Sequence, residues 1–209
     1  MRIDLHIHAN KSRCSGLEPA EVIKKAEEQG LDVIGLVNHD LKPIKYKGSK
    51  KVKIIPGVEV STKQGHILIL NTDKEYPKGI NAQEAINMAE KKALIIIPHP
   101  FDITRKGVGS KLYKLKGYHA IEVNARCLFD YFNKKAIKYS RVHNVPLVAG
   151  SDSHFPQEIG NAYITVKAKT IKEAIKKIKQ GKNKTYLKKR KIKKKLGPYL
   201  KSAIGYTKH

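Results

Sequence analysis

The chain has no tryptophan, two cysteines, two methionines, and 18 acidic residues against 43 lysines and arginines. Cys14 and Cys127 are too far apart for a zinc-finger pair and too few for a disulfide framework. Reduced thiols are the expectation. No apolar run approaches the roughly 18 residues that could span a bilayer. The first residues read as a strand, without a signal-peptide hydrophobic region. A cytoplasmic location with no membrane partner is therefore expected. Aromatic residues are only 7% of the chain. Phe101, Phe129, Tyr131 and Phe132 lie near helical segments, where core packing is expected rather than base stacking.

The shortage of acid leaves a formal net charge of +25 over 209 residues. The excess is uneven. The stretch 167–209 holds 17 lysines and arginines and a single acid, Glu173. Such a patch raises nucleic acid as a partner for the basic C-terminal tail. A solvated lysine-rich surface is the plainer alternative. The run Lys188–Lys195 reads as a solvated helix face, and Tyr199–His209 as a short helix.

Apolar, β-branched runs alternate with amphipathic segments. Strands are expected at Ile3–His8, Val33–Val37, Val52–Gly57, His66–Leu70, Leu94–Pro98, Ala120–Asn124, Pro146–Ala149 and Ala162–Val166. Helices are expected from Leu17 to the Gly30 stop, over Asn81–Lys92, over Asp130–His143 and over Thr170–Gln180. Strand–helix alternation implies βα units and a mostly parallel sheet. Seven or eight strands in this length suggest a small βα barrel, with the basic segment from Lys182 onward as an extension rather than a domain.

Most of the residues that could bind metal follow strand ends, where βα barrels place their active sites. His6 and His8 alternate with Ile3, Leu5 and Ile7 on the first strand, so both imidazoles share one face with Asp4. His39, Glu59, His66, His99, Asp152 and His154 add imidazole and carboxylate donors suited to zinc, manganese or iron. Pro98 and Pro100 flank His99 and predict an extended, stiffened backbone there. Asp4 is expected to orient a histidine or pair within the barrel. His119 and His143 read as structural or surface residues.

His6-Ile7-His8, Val37-Asn38-His39-Asp40, Gly57-Val58-Glu59, Pro98-His99-Pro100 and Gly150-Ser151-Asp152-Ser153-His154 stand in the order of the motifs of the PHP (polymerase and histidinol phosphatase) superfamily. The chain resembles that family over residues 1–181. The resemblance implies an α/β fold, a distorted (β/α)7 TIM-like barrel, with two or three divalent ions (Zn, Mn or Fe) that hydrolyse phosphoesters. His6, His8, Glu59 and Asp152 would hold a first ion. Glu59 would bridge to a second, completed by His66 and His99. His39 and His154 would hold a third. A further ligand to that third ion often follows the H-x-H pair; here the segment is Ser12-Arg13-Cys14-Ser15, which offers Cys14 as a thiolate. Asn38 stands where the family commonly has Asp.

The implied reaction is attack by a metal-activated hydroxide on a phosphomonoester or phosphodiester. Arg105 and Arg126, with Arg13 as a third candidate, are placed to anchor the phosphate. A small metabolite or nucleotide is the expected substrate. A nuclease trimming RNA or DNA ends is the alternative, followed by a non-catalytic nucleic-acid scaffold.

Overall fold

The computed structural model describes residues 1–10 and 14–188. Two runs of parallel strands make up most of the sheet: β1 (Arg2–His8), β2 (Val33–His39) and β3 (Lys53–Thr62), then β5 (Leu94–Ile97), β6 (Ala120–Asn124) and β7 (Leu147–Gly150). Between β3 and β5 lies β4 (Gly65–Leu70), antiparallel to both. Beyond β1 the sheet continues through β8 (Ala162–Thr165) and β9 (Lys184–Leu187), each antiparallel to its neighbour. The order is β7-β6-β5-β4-β3-β2-β1-β8-β9. Just past β7, Ser153 forms a parallel bridge to Ile7, and its carbonyl accepts the His8 N–H at 3.0 Å. This contact nearly closes the sheet into a barrel.

The regular βα alternation of a (β/α)7 barrel is not observed. Helices α1 (Pro19–Glu28), α2 (Ala82–Met88), α3 (Asp130–His143) and α4 (Ile171–Lys179) follow β1, β4, β6 and β8. The β2–β3 connection has no helix, β3 and β4 form a tight hairpin, and β5 leads only into short 3-10 turns at Ile103–Arg105 and Gly109–Lys114. The antiparallel β4 corrects the expectation of simple βα repeats. Period-two apolar spacing does not encode strand direction. Here the two-residue turn Lys63-Gln64 sets it, ending in Gly65 at φ +136°.

All β1 residues after Arg2 are buried, because both faces of a barrel strand are covered. Outside β1 and β2, Val22 and Ala26 of α1 pack with Ile7, Ile34 and Leu36. The larger cluster joins Leu5, Val58, Leu68, Ile96 and Ile121 to α2, α3 and α4. Pro19 opens α1, where its missing N–H costs nothing. Asn81 caps α2 by accepting the Gln83 N–H, and Thr170 caps α4 by accepting that of Glu173.

The basic segment begins as a strand. Lys184–Leu187 pairs with β8, and Tyr186 stacks on Tyr163 at 4.5 Å. The expected helices at Lys188–Lys195 and Tyr199–His209 lie almost wholly outside the described residues. Among the described residues, no helix is long and apolar enough to cross a membrane. Phe101 is buried and Phe132 packs against the core, as expected. Phe129 and Tyr131 are instead exposed, because they lie at the start of α3, on its solvent side.

Candidate metal centre

β1 delivers His6 and His8 side by side into the barrel mouth. Their Nε2 atoms face one another at 3.1 Å, and both rings are fully buried. Glu59, on β3, brings Oε2 to 3.3 Å from His6 Nε2 and 3.1 Å from His8 Nε2. Asp152 follows β7 and brings Oδ1 to 3.7 and 3.4 Å from the same two nitrogens. One donor atom from each of these four side chains falls within a single sphere of 4.8 Å separations.

The second oxygen of Glu59 serves a different set. Its Oε1 lies 2.9 Å from His66 Nδ1, not aligned as a hydrogen bond, and 3.1 Å from His99 Nε2. His66 is the second residue of β4, whose antiparallel direction puts its first residues at the mouth beside the ends of the parallel strands. His39 Nε2, from the end of β2, is 3.4 Å from Glu59 Oε2. A third group brings His8, Cys14, His39 and His154 together, again within 4.8 Å. Cys14 Sγ is 3.9 Å from His8 Nδ1. His39 stacks on His8 with centroids 4.7 Å apart, and His154 lies 4.3 Å away on that ring.

All nine side chains singled out as metal ligands thus converge on one mouth. Arg105 and Arg126 reach it too. The Arg105 guanidinium pairs with Asp152 Oδ2, and that of Arg126 donates to His154 Nδ1 and, at 3.4 Å, to the Asp152 carbonyl. Arg13 lies outside the described residues.

The backbone around His99 differs from expectation. Its φ is +32°, in the left-handed region rather than extended. This turn lets the His99 N–H reach Glu122 Oε2 at 3.2 Å while its ring reaches Glu59. Asp152 (φ +53°) and Asp40 (φ +54°) share that conformation. Such positions persist where surrounding contacts over-determine them, and they cluster at functional sites. Asp40 accepts the Ser61 N–H at 2.6 Å, tying β2 to β3.

Several buried polar residues escaped sequence reasoning. Glu122 accepts from His6 Nδ1 at 3.1 Å, from the His99 N–H and from Asn124 Nδ2 at 2.9 Å. Asn124 also donates to Asp152 Oδ2 at 3.2 Å. Glu158 accepts the His154 N–H at 2.9 Å and pairs with Arg126 Nε at 3.5 Å. The available signal was polarity at alternate positions of an apolar strand: Glu122 and Asn124 flank Val123. Asp4 acts on backbone, accepting N–H groups of His6, Ser151 and Gly160. Burial raises its pKa to about 6.

Charge is concentrated in this mouth. Burial favours neutral imidazoles, but Asp152, Glu122 and Glu59 outweigh it at His6 and raise its pKa well above the usual value. At His8 burial is likewise outweighed, by Asp152, Cys14 and Glu59, and the pKa rises to about 10. Glu59 and Asp152 are held far below the carboxylate range despite burial, Glu59 by His66, His39 and His6, and Asp152 by Arg105 and His6. His154 is pulled down to about 2 by burial and by its cationic neighbours, first His8. For Cys14, burial is overcome by His39 and His8, and the thiol falls to about 6. Cys127 lies outside the cluster and burial pushes its thiol up.

These donors fit divalent ions. Among the described residues, Asp152 Oδ1 and His66 Nδ1 are buried with no hydrogen-bond partner, and buried polar atoms are ordinarily paired. Imidazoles and carboxylates within a few ångströms match the preferences of zinc, manganese and iron. His6 would present Nε2 to an ion because Glu122 holds the proton on Nδ1.

A family profile described as PHP-associated matches residues 130–183. An uncharacterized protein of Methanocaldococcus jannaschii is 35% identical over 172 residues, covering 78% of this chain and 70% of the relative. The chain belongs to the PHP family. A 5'-3' exoribonuclease of Haemophilus influenzae is 29% identical over 119 residues, 48% of this PHP chain and 43% of the relative. Two solved structures share the fold. PsfC from Pseudomonas syringae superposes with a TM-score of 0.65 at 14% identity, covering 89% of this chain and 91% of that one. A Bifidobacterium adolescentis protein described as a candidate metal-dependent phosphoesterase superposes at 0.57 and 12% identity, covering 74% and 88%. The PHP barrel here is built mainly of strands.

Proposed function

We propose that the protein is a hydrolase of phosphate esters that works with two or three divalent ions (Zn, Mn or Fe) on a small phosphorylated metabolite or nucleotide. The observation that carries this reading is Glu59, whose two oxygens face different histidine sets: Oε2 faces His6 and His8, and Oε1 faces His66 and His99. A carboxylate so placed suits a bridge between two ions. Asp152 would complete the first position, and His39 and His154 would serve a third.

When bound, such ions supply the Lewis acidity that neutralises phosphate oxygens and lowers the pKa of an attacking water. The remaining work belongs to the chain. Arg105 and Arg126 bind the phosphate oxygens, which take the place of Asp152 and His154 as partners of the two guanidinium groups. Glu122 keeps the His6 proton on Nδ1, and Asn124 orients Asp152. Burial of His6, His8, Glu59, His99 and Asp152 strengthens the charge interactions among them.

A screen of phosphomonoesters, phosphodiesters and short oligonucleotides with added zinc, manganese or iron tests this reading. Turnover of at least one ester class that chelation abolishes is the expected result. Metal analysis that finds under one ion per chain, with no hydrolysis of any ester, would sink it.

The exoribonuclease relative and the +25 charge favour a second reading, an end-trimming nuclease. Because Lys184–Leu187 is part of the sheet, a truncation that spares the barrel starts at residue 189. If that truncation lowers oligonucleotide cleavage and its salt dependence while small-ester hydrolysis persists, the nuclease reading is preferred.

A further inference from the structure

The three donor groups differ in chemistry. Those built around Glu59 contain carboxylate, whereas the group of His8, Cys14, His39 and His154 contains none and adds sulfur. His8 belongs to two groups through opposite ring nitrogens: Nε2 faces Glu59 and Asp152, and Nδ1 faces Cys14 Sγ at 3.9 Å. A neutral imidazole has one lone pair and one N–H. If the lone pair is on Nε2, the proton sits on Nδ1 and points at sulfur. The sulfur then accepts a hydrogen bond from His8 while its other lone pairs face His39 and His154. His8 would thus stand to Cys14 much as His6 stands to Glu122, with the proton on Nδ1 and Nε2 turned to the first ion.

We propose that Cys14 is a thiolate ligand which, with His39 and His154, makes a soft metal position for zinc, ferrous iron or cobalt beside two harder, carboxylate-containing positions that also accept manganese. The proposal rests on the multi-ion centre described under Proposed function. Thiolate and imidazole select zinc and iron, while manganese and magnesium prefer oxygen donors. Two N donors and one S leave room for a further ligand, which an open catalytic position requires. Cys14 is only half-buried, so a phosphate oxygen or water can approach it. Mixed loading is the consequence: one ion of the set is not exchangeable for manganese.

Cobalt(II) tests this without reference to activity, because a thiolate bound to cobalt(II) gives an intense near-ultraviolet charge-transfer band. Metal-free full-length protein is titrated with cobalt(II), and the bound metal is counted. The wild type is expected to develop the band. Cys14→Ser is expected to lose it together with one equivalent of metal. Cys14→Asp, a hard-ligand replacement, is expected to restore the equivalent without the band and to take manganese there as readily as cobalt. Cys127 is present throughout as the internal control. A cobalt-loaded wild type without the band overturns the proposal, as does a band that survives in Cys14→Ser, or a serine variant that keeps the full complement. These outcomes leave the carboxylate-bridged centre standing, whereas failure to bind any cobalt removes both.

Discussion

Glu122 and His6 form a fully buried pair, with carboxylate Oε1 3.1 Å from imidazole Nδ1. They come from β6 and β1, 116 residues apart in sequence. The contact holds the His6 proton on Nδ1 and leaves Nε2 turned to the mouth. Glu122→Gln keeps the shape but removes the charge, and its amide can present a donor to Nδ1. Metal affinity is expected to fall about 10- to 100-fold, the usual penalty for losing such a partner. Titration calorimetry or competition with a chromophoric chelator measures it. Affinity unchanged within about twofold would mean that His6 is oriented by packing alone.

Glu59→Gln removes the carboxylate whose Oε2 lies against His6 and His8 and whose Oε1 lies against His66 and His99. Most hydrolysis is expected to disappear, with at least one ion lost per chain, while the far-ultraviolet circular dichroism stays that of the wild type. A variant with the wild-type rate and metal count would refute the bridging role.

Arg105→Ala is expected to lower kcat/KM about 10- to 100-fold, the worth of one charge-assisted hydrogen bond. The loss should fall on substrates that carry a terminal phosphate. Added guanidinium ion is expected to restore part of the rate. An undiminished kcat/KM would leave Arg105 as a structural partner of Asp152.

Gly150 ends β7 where nothing larger fits. A Cβ there would lie 2.7 Å from His6 Cβ and against the Glu122 carboxylate. Gly150→Ala is expected to cost about 1–3 kcal/mol of stability by overpacking and to weaken metal binding by moving the His6–Glu122 pair. Denaturant midpoints with and without metal separate the two effects. A stable variant with weakened metal binding locates the strain at the pair; unaltered binding would place it elsewhere.

His119 reports on a different part of the fold. Its Nδ1 accepts the Ile95 N–H at 3.0 Å, tying β5 to the start of β6. Burial, and then Lys179, lower its pKa from 6.5 to about 4. A neutral imidazole is therefore the stabilising form. Its contribution is complete above pH 6.5 and is lost as pH falls through about 4. NMR titration should find the low pKa, and His119→Asn, which keeps an acceptor, should flatten the stability loss over that window. A His119 that titrates near 6.5 would exclude the buried acceptor role.

The chain order alone makes the donors legible. Alternation on β1 puts His6 and His8 on one face whatever the rest of the fold does, since successive side chains of a strand point oppositely. The apolar runs Val33–Val37 and Pro146–Ala149, shortly before His39 and Asp152, likewise mark strands, and α3 matches its expected span, Asp130–His143. Local spacing was enough for these because the physics is local.

Glu122, Asn124 and Glu158 could not be read that way. Each acts by a contact to a residue distant in sequence or on another element, and nothing in its own neighbourhood names the partner. The same holds for the left-handed turn at His99, where contacts from Glu122 and Glu59 override the extended preference of a residue before proline, and for the reversal of β4, which brings His66 to the mouth. Residue type and periodicity settled which side chains could bind cations. Only closure of the sheet, through the contact of Ile7 with Ser153, decided which of them meet and what holds them, because those distances depend on strands that neighbour in space and not along the chain.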